Sequence, residues 1–122
     1  MTPTTLVSGG RAGQREAAIA AALRPGVATA IILEGLADGG AALAFDEDDV
    51  RAADVTVLRI APGCLCCTGN LVLKVSLNRL LRRPPSQLYI SLADASHVDQ
   101  LRAWLADAPY DALLALQSPL VV

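Results

Sequence analysis

Apolar positions along the chain alternate between two kinds of run, short ones of strand length and longer ones with helical spacing. Thr5 to Ser8 is β-favouring and runs into Gly9-Gly10. Ala12 to Leu23 is Ala-rich, reads as a helix with Glu16 in its first turn, and stops at Arg24-Pro25-Gly26. Val27 to Leu33 is an apolar run of strand length, the pattern of a strand covered on both faces in a parallel sheet. Glu34 to Ala53 reads as a long loop whose acidic run, Asp46-Glu47-Asp48-Asp49, is a solvated face or a helix start. Asp54 to Ile60 alternates, with Val55, Val57 and Arg59 against Thr56, Leu58 and Ile60, and is a third strand. A helix capped by Thr68 or Asn70 runs to Leu81, with Leu73, Leu77, Leu80 and Leu81 on one face. Gln87 to Leu92 is a fourth strand. Ser96 to Leu105 is a helix that turns Val98, Leu101, Trp104 and Leu105 inward. Ala112 to Leu116 is a fifth strand. The order β-α-β-loop-β-α-β-α-β predicts a three-layer α/β fold in which a mainly parallel sheet of about five strands is covered by helices. Residues 1–122 form a single domain.

Composition narrows the classes. Apolar residues make up 53% and charged residues 18%, which excludes intrinsic disorder. The net charge of −2 argues against a nucleic-acid partner recruited by bulk positive charge. The first ten residues lack a basic stretch followed by an apolar one, and no run approaches about 18 apolar residues, so neither a secretory signal nor a membrane span is expected. The three cysteines, Cys64, Cys66 and Cys67, are too close in sequence for a disulfide framework. Reduced thiols in a cytoplasm are the expectation.

Strand, glycine-rich turn and helix is the layout of a phosphate-binding loop, in which backbone N–H groups and the helix N-terminus hold the anion. The candidate residues are Gly9, Gly10, Gly13, Gln14 and Arg15. A working loop reads G-x-x-x-x-G-K-(S/T), with Lys on the terminal phosphates and Ser/Thr on Mg²⁺. With Gly13 as the second glycine, Gln14 stands for Lys and Arg15 for Ser/Thr. Nine of the ten basic residues are Arg, and the single lysine, Lys74, is remote in sequence. Gln brings no charge to a transferring phosphate and Arg15 repels a divalent cation, so GTP·Mg²⁺ hydrolysis is not expected. A plain strand-to-helix turn and an anion seat without chemistry are the two other readings of this loop.

Pro62-Gly63-Cys64-Leu65-Cys66-Cys67-Thr68 is the most informative segment. Three soft thiolates on a short arc select Zn²⁺, Cu(I) or an iron–sulfur centre over hard ions. A helix start just beyond them favours the thiolate form. A fourth ligand comes from Glu34, His97, water or a second chain. Thiol redox chemistry and buried packing are the competing readings. A lone His97 at a helix start is more often a surface or capping residue than a ligand.

Gly63-Cys64-Leu65-Cys66-Cys67 resembles the G-C-(I/L)-C-C motif of the CobW-type P-loop GTPases, relatives of metal-centre accessory proteins and zinc metallochaperones. Leu33-Glu34-Gly35 follows the second strand, where that family carries N-E-F-G, and Leu92-Ala93-Asp94 resembles the end of its E-T-x-G-L-A-D-P segment. The resemblance spans nearly the whole chain and corresponds to the N-terminal part of such a protein. It implies Zn²⁺ or a similar ion on Cys64, Cys66 and Cys67, with Glu34 assisting. The lysine and Ser/Thr of the phosphate loop, the Glu of E-T-x-G and the guanine-reading N-K-x-D are absent from these 122 residues.

The resulting expectation is a non-hydrolysing, zinc-type metal accessory module with a metal-recipient protein as partner, and with no catalytic residue assigned. Two alternatives stand beside it: a GTP-binding protein with an atypical loop, and a scaffold that uses the fold as a binding surface. The apolar Leu120-Val121-Val122 suggests an exposed sheet edge and a homodimer formed through it.

Overall fold

The computed structural model describes residues 1–35, 54–60 and 71–122. Its elements are β1 (Thr2–Ser8), α1 (Ala12–Ala22), β2 (Thr29–Glu34), β3 (Val55–Ile60), α2 (Leu71–Leu80), β4 (Gln87–Ser91), α3 (Val98–Leu105), β5 (Leu114–Leu116) and β6 (Leu120–Val121). Short 3₁₀ turns at Ala95–His97 and Tyr110–Ala112 precede α3 and β5.

The sheet has strand order β3-β2-β4-β1-β5, with β6 also on β1, and every pairing is parallel. β5 pairs with Thr2–Thr4 and β6 with Val7–Ser8, so the two make one edge line along β1. Between them lies Pro119, which has no N–H to give a ladder.

Chain direction explains the layers. β1 reaches β2 through α1 by crossing β4 toward one edge. β3-α2-β4 and β4-α3-β5 step the other way. Right-handed crossovers therefore put α1 on one face and α2 with α3 on the other. The core divides accordingly. On the α1 side Ile19 and Leu23 pack with Val7, Ile31, Leu33 and Tyr89. On the opposite side Leu73, Leu77, Leu101 and Leu105 pack with Leu6, Ile32, Leu88 and Ile90. Each fully buried Leu or Ile contributes roughly 1.5–3 kcal/mol. With β2 covered on both faces, all six of its residues are buried.

The α/β class, the mainly parallel sheet and the two helical faces agree with the sequence reading. Val98, Leu101, Trp104 and Leu105 join the α2–α3 core as expected. Four readings change. β1 begins at Thr2 rather than Thr5, because Thr2 and Thr4 are buried with their hydroxyls donating to the carbonyls of Pro85 (3.1 Å) and Thr2 (3.0 Å). The helix read from Ser96 is a 3₁₀ turn and then α3, since Asp94 accepts the Ser96 N–H (2.9 Å) and fixes the turn first. Glu16 is the fifth residue of α1, past its first turn, and is buried rather than facing solvent. A sixth strand, β6, extends the edge. The acidic run at 46–49 and the caps proposed at Thr68 and Asn70 lie outside the described residues. No helix among the described residues is long and apolar enough to cross a membrane.

Candidate functional site

β1 and β4 are neighbours whose onward connections leave in opposite directions, α1 over one face and α3 over the other. In parallel α/β sheets a crevice opens at the carboxyl ends of such a strand pair, and ligands bind there. The residues around it come from the ends of β1, β2 and β4 and from the start of α1.

β1 ends at Ser8, and the chain turns through Gly9 (φ +85°) and Gly10 (φ +57°), left-handed conformations that favour glycine. Arg11 then caps α1, and its N–H donates to Gln14 Oε1 at 2.7 Å. Arg15 is 4% exposed. Its Nε donates to Ser91 Oγ on β4 (2.9 Å), and its Nη1 donates to the carbonyls of Gly9 (3.2 Å) and Gly10 (3.1 Å). Both positions that would serve a bound nucleotide are thus engaged with their own chain. Gln14 closes the helix start, and Arg15 fills the inside of the turn. Gly13 lies in the first turn of α1.

At the end of β2, Glu34 is 3% exposed and belongs to the face that carries Ile32 and the α2–α3 core. Its Oε1 accepts the Ala93 N–H at 2.8 Å. Glu34 is in register with Ile60, the last residue of β3, and the Gly35 N–H donates to the Ile60 carbonyl at 2.9 Å. Ile60 is the residue from which segment 61–70 departs, and α2 is where it returns. Cys64, Cys66 and Cys67 fall on that segment, outside the described residues. Glu34 therefore joins two of the three segments singled out in the sequence, its own and Leu92-Ala93-Asp94, by a partly buried hydrogen bond.

Arg59, on the last turn of pleat before Ile60, faces α1. Its Nη2 pairs with Glu16 Oε1 at 3.2 Å and its Nη1 donates to the Gly35 carbonyl at 3.4 Å. Asp94 is exposed and accepts both the hydroxyl (2.7 Å) and the N–H (2.9 Å) of Ser96. The Ser96 hydroxyl first, and then its amide, hold the Asp94 carboxyl below the usual carboxylate range. His97 Nε2 stands 3.9 Å from Asp94 Oδ2, so the candidate ligand His97 is turned to its own helical turn. Among the described residues no group of three His, Cys, Asp or Glu side chains comes together.

Sequence reasoning did not select Ser91, Glu16 or Arg59. Ser91 carried one readable signal, a polar residue directly after the apolar run Leu88-Tyr89-Ile90. Glu16 and Arg59 carried none, because a charge on a helix or an edge strand normally faces water. Compared with protein-family models, with curated proteins and with solved structures, the chain matches none of them.

Proposed function

We propose that the chain is a non-hydrolysing metal-binding accessory module that holds Zn²⁺ on Cys64, Cys66 and Cys67 with Glu34 beside them, and passes the ion to a recipient protein. The observation that carries the reading is the pairing of Glu34 with Ile60 at the sheet's carboxyl edge. Glu34 is a buried carboxylate held by the Ala93 N–H. It lies where the strand ends and the three-thiolate segment begins. Thiolates with one carboxylate or water are a donor set that Zn²⁺ accepts in tetrahedral coordination. Engagement of Gln14 and Arg15 by their own loop supports the absence of nucleotide turnover.

Protein purified anaerobically is expected to carry roughly one Zn²⁺ per one or two chains by elemental analysis, the ratio a site of three or four ligands gives. Replacing Cys64, Cys66 and Cys67 together by Ser is expected to remove it. Metal-free wild type that takes up no Zn²⁺ on titration contradicts the proposal.

A second reading, a scaffold that pairs through its sheet edge, is favoured by one observation. Val121 and Val122 at the β6 edge are 72% and 44% exposed, and among the described residues β6 pairs with β1 alone, which leaves backbone donors and acceptors for another strand. Sedimentation over a concentration series should then show a monomer–dimer equilibrium that Val121→Lys shifts to monomer. A strictly monomeric wild type at high concentration removes this reading.

A further inference from the structure

Arg15 presents an unusual arrangement for a glycine-rich turn. A loop built for phosphate turns N–H donors inward. Here the groups that meet the buried side chain are acceptors: the carbonyls of Gly9 and Gly10 and the hydroxyl of Ser91, all between 2.9 and 3.2 Å from guanidinium nitrogens. Oxygen acceptors converging on one buried point select a cation. Ser91 belongs to β4, so the contact also ties the β1–α1 turn to the neighbouring strand across the crevice. No carboxylate among the described residues pairs with Arg15, so the three oxygens are its described compensation for burial.

We propose that the β1–α1 turn is a cation seat filled from within the chain. Arg15 is its permanent occupant, and with Arg15 removed the seat takes a small guanidinium cation and not a phosphate. The glycine-rich turn is thereby filled by an internal clamp that ties the start of α1 to the end of β4 without any ligand. The inference is independent of the metal reading, because its residues and its readouts involve neither the cysteines nor Zn²⁺.

The test compares wild type and Arg15→Ala by thermal unfolding with millimolar methylguanidinium chloride, sodium chloride or sodium phosphate. Arg15→Ala is expected to melt roughly 10 °C lower, since three acceptors lose their donor. Methylguanidinium is expected to restore part of that loss beyond what equal sodium chloride does, and to leave wild type unchanged. Equal effects of the two chlorides overturn the proposal. So does a larger rescue by phosphate, or saturable stabilisation of wild type by phosphate or GTP·Mg²⁺. A second measurement covers the case in which Arg15→Ala does not fold. In wild type the Arg15 Nε–H, followed by ¹⁵N NMR, should exchange with water about ten-fold more slowly than those of exposed arginines, and Ser91→Ala should remove that protection. An Arg15 Nε–H that exchanges like the exposed ones in wild type overturns the seat as well.

Discussion

Glu34→Ala is expected to destabilise the metal-free protein by about 3 kcal/mol, whereas Glu34→Gln costs about 1 kcal/mol or less. The difference follows from the hydrogen bond to Ala93. Alanine leaves the Ala93 N–H without its acceptor beside a cavity of carboxylate size, in a position only 3% exposed. Glutamine can keep an oxygen acceptor for the Ala93 N–H while losing the charge and one acceptor oxygen. Metal binding should not separate the two variants, because both remove the carboxylate. Glutamine is a poor Zn²⁺ ligand, so Glu34→Gln should keep the fold and still lose about ten-fold or more in Zn²⁺ affinity. Urea unfolding of the apo protein and a competitive Zn²⁺ titration measure the two quantities. An Ala variant as stable as wild type would show that the carboxylate does not tie β2 to the turn after β4. A Gln variant with undiminished affinity would take Glu34 out of the metal site and leave its structural role intact.

Gly9→Ala should cost about 3 kcal/mol, from two sources that neighbouring glycines allow to be separated. At φ +85° an L-residue is strained by about 1–2 kcal/mol. The new Cβ would also stand 2.7 Å from the Val122 carbonyl oxygen, so Val122, which follows β6 and donates its N–H to the Ser8 carbonyl, must shift. Gly26 has a similar φ of +79° but nothing within 4 Å of its Cβ position, so Gly26→Ala should show the conformational part alone. Gly10→Ala is intermediate. Its Cβ would meet the end of the flexible Gln14 side chain at 2.6 Å, and yielding there breaks the bond from the Arg11 N–H. Chemical denaturation of the three variants should give the order Gly9, Gly10, Gly26. Equal losses at Gly9 and Gly26 would mean that Val122 does not press on the turn.

Much of the architecture was legible because burial in this fold is periodic. β2 reads as an apolar run since both of its faces are covered, and α3 reads at helical spacing since one of its faces packs on the sheet. What escaped was set by tertiary contacts. Thr2 and Thr4 look polar in sequence, but buried backbone carbonyls satisfy their hydroxyls, so β1 is longer than its apolar letters. β6 is two residues after a proline, and only the open edge of β1 makes it a strand. The candidate site was readable in part. Glu34 stood out by its position at the end of an apolar run. The buried face of α1 continues from Ile19 to Arg15 and Glu16, where the sheet edge supplies polar partners in place of apolar ones. Nothing local distinguishes those two charges from solvated ones. The glycine-rich turn suggested a ligand loop, but its occupant is decided by a hydrogen bond spanning 76 residues to Ser91.

Co²⁺ substitution tests most directly whether Cys64, Cys66 and Cys67 hold a metal ion as thiolates. Titrating the reduced, metal-free protein with Co²⁺ under anaerobic conditions should raise a near-ultraviolet sulfur-to-metal charge-transfer band together with the visible bands of a tetrahedral ion. The bands should saturate at roughly one ion per one or two chains, vanish on addition of Zn²⁺, and be absent when the three cysteines are replaced by Ser. A wild-type titration without the charge-transfer band, or one that the serine variant reproduces, would contradict the account.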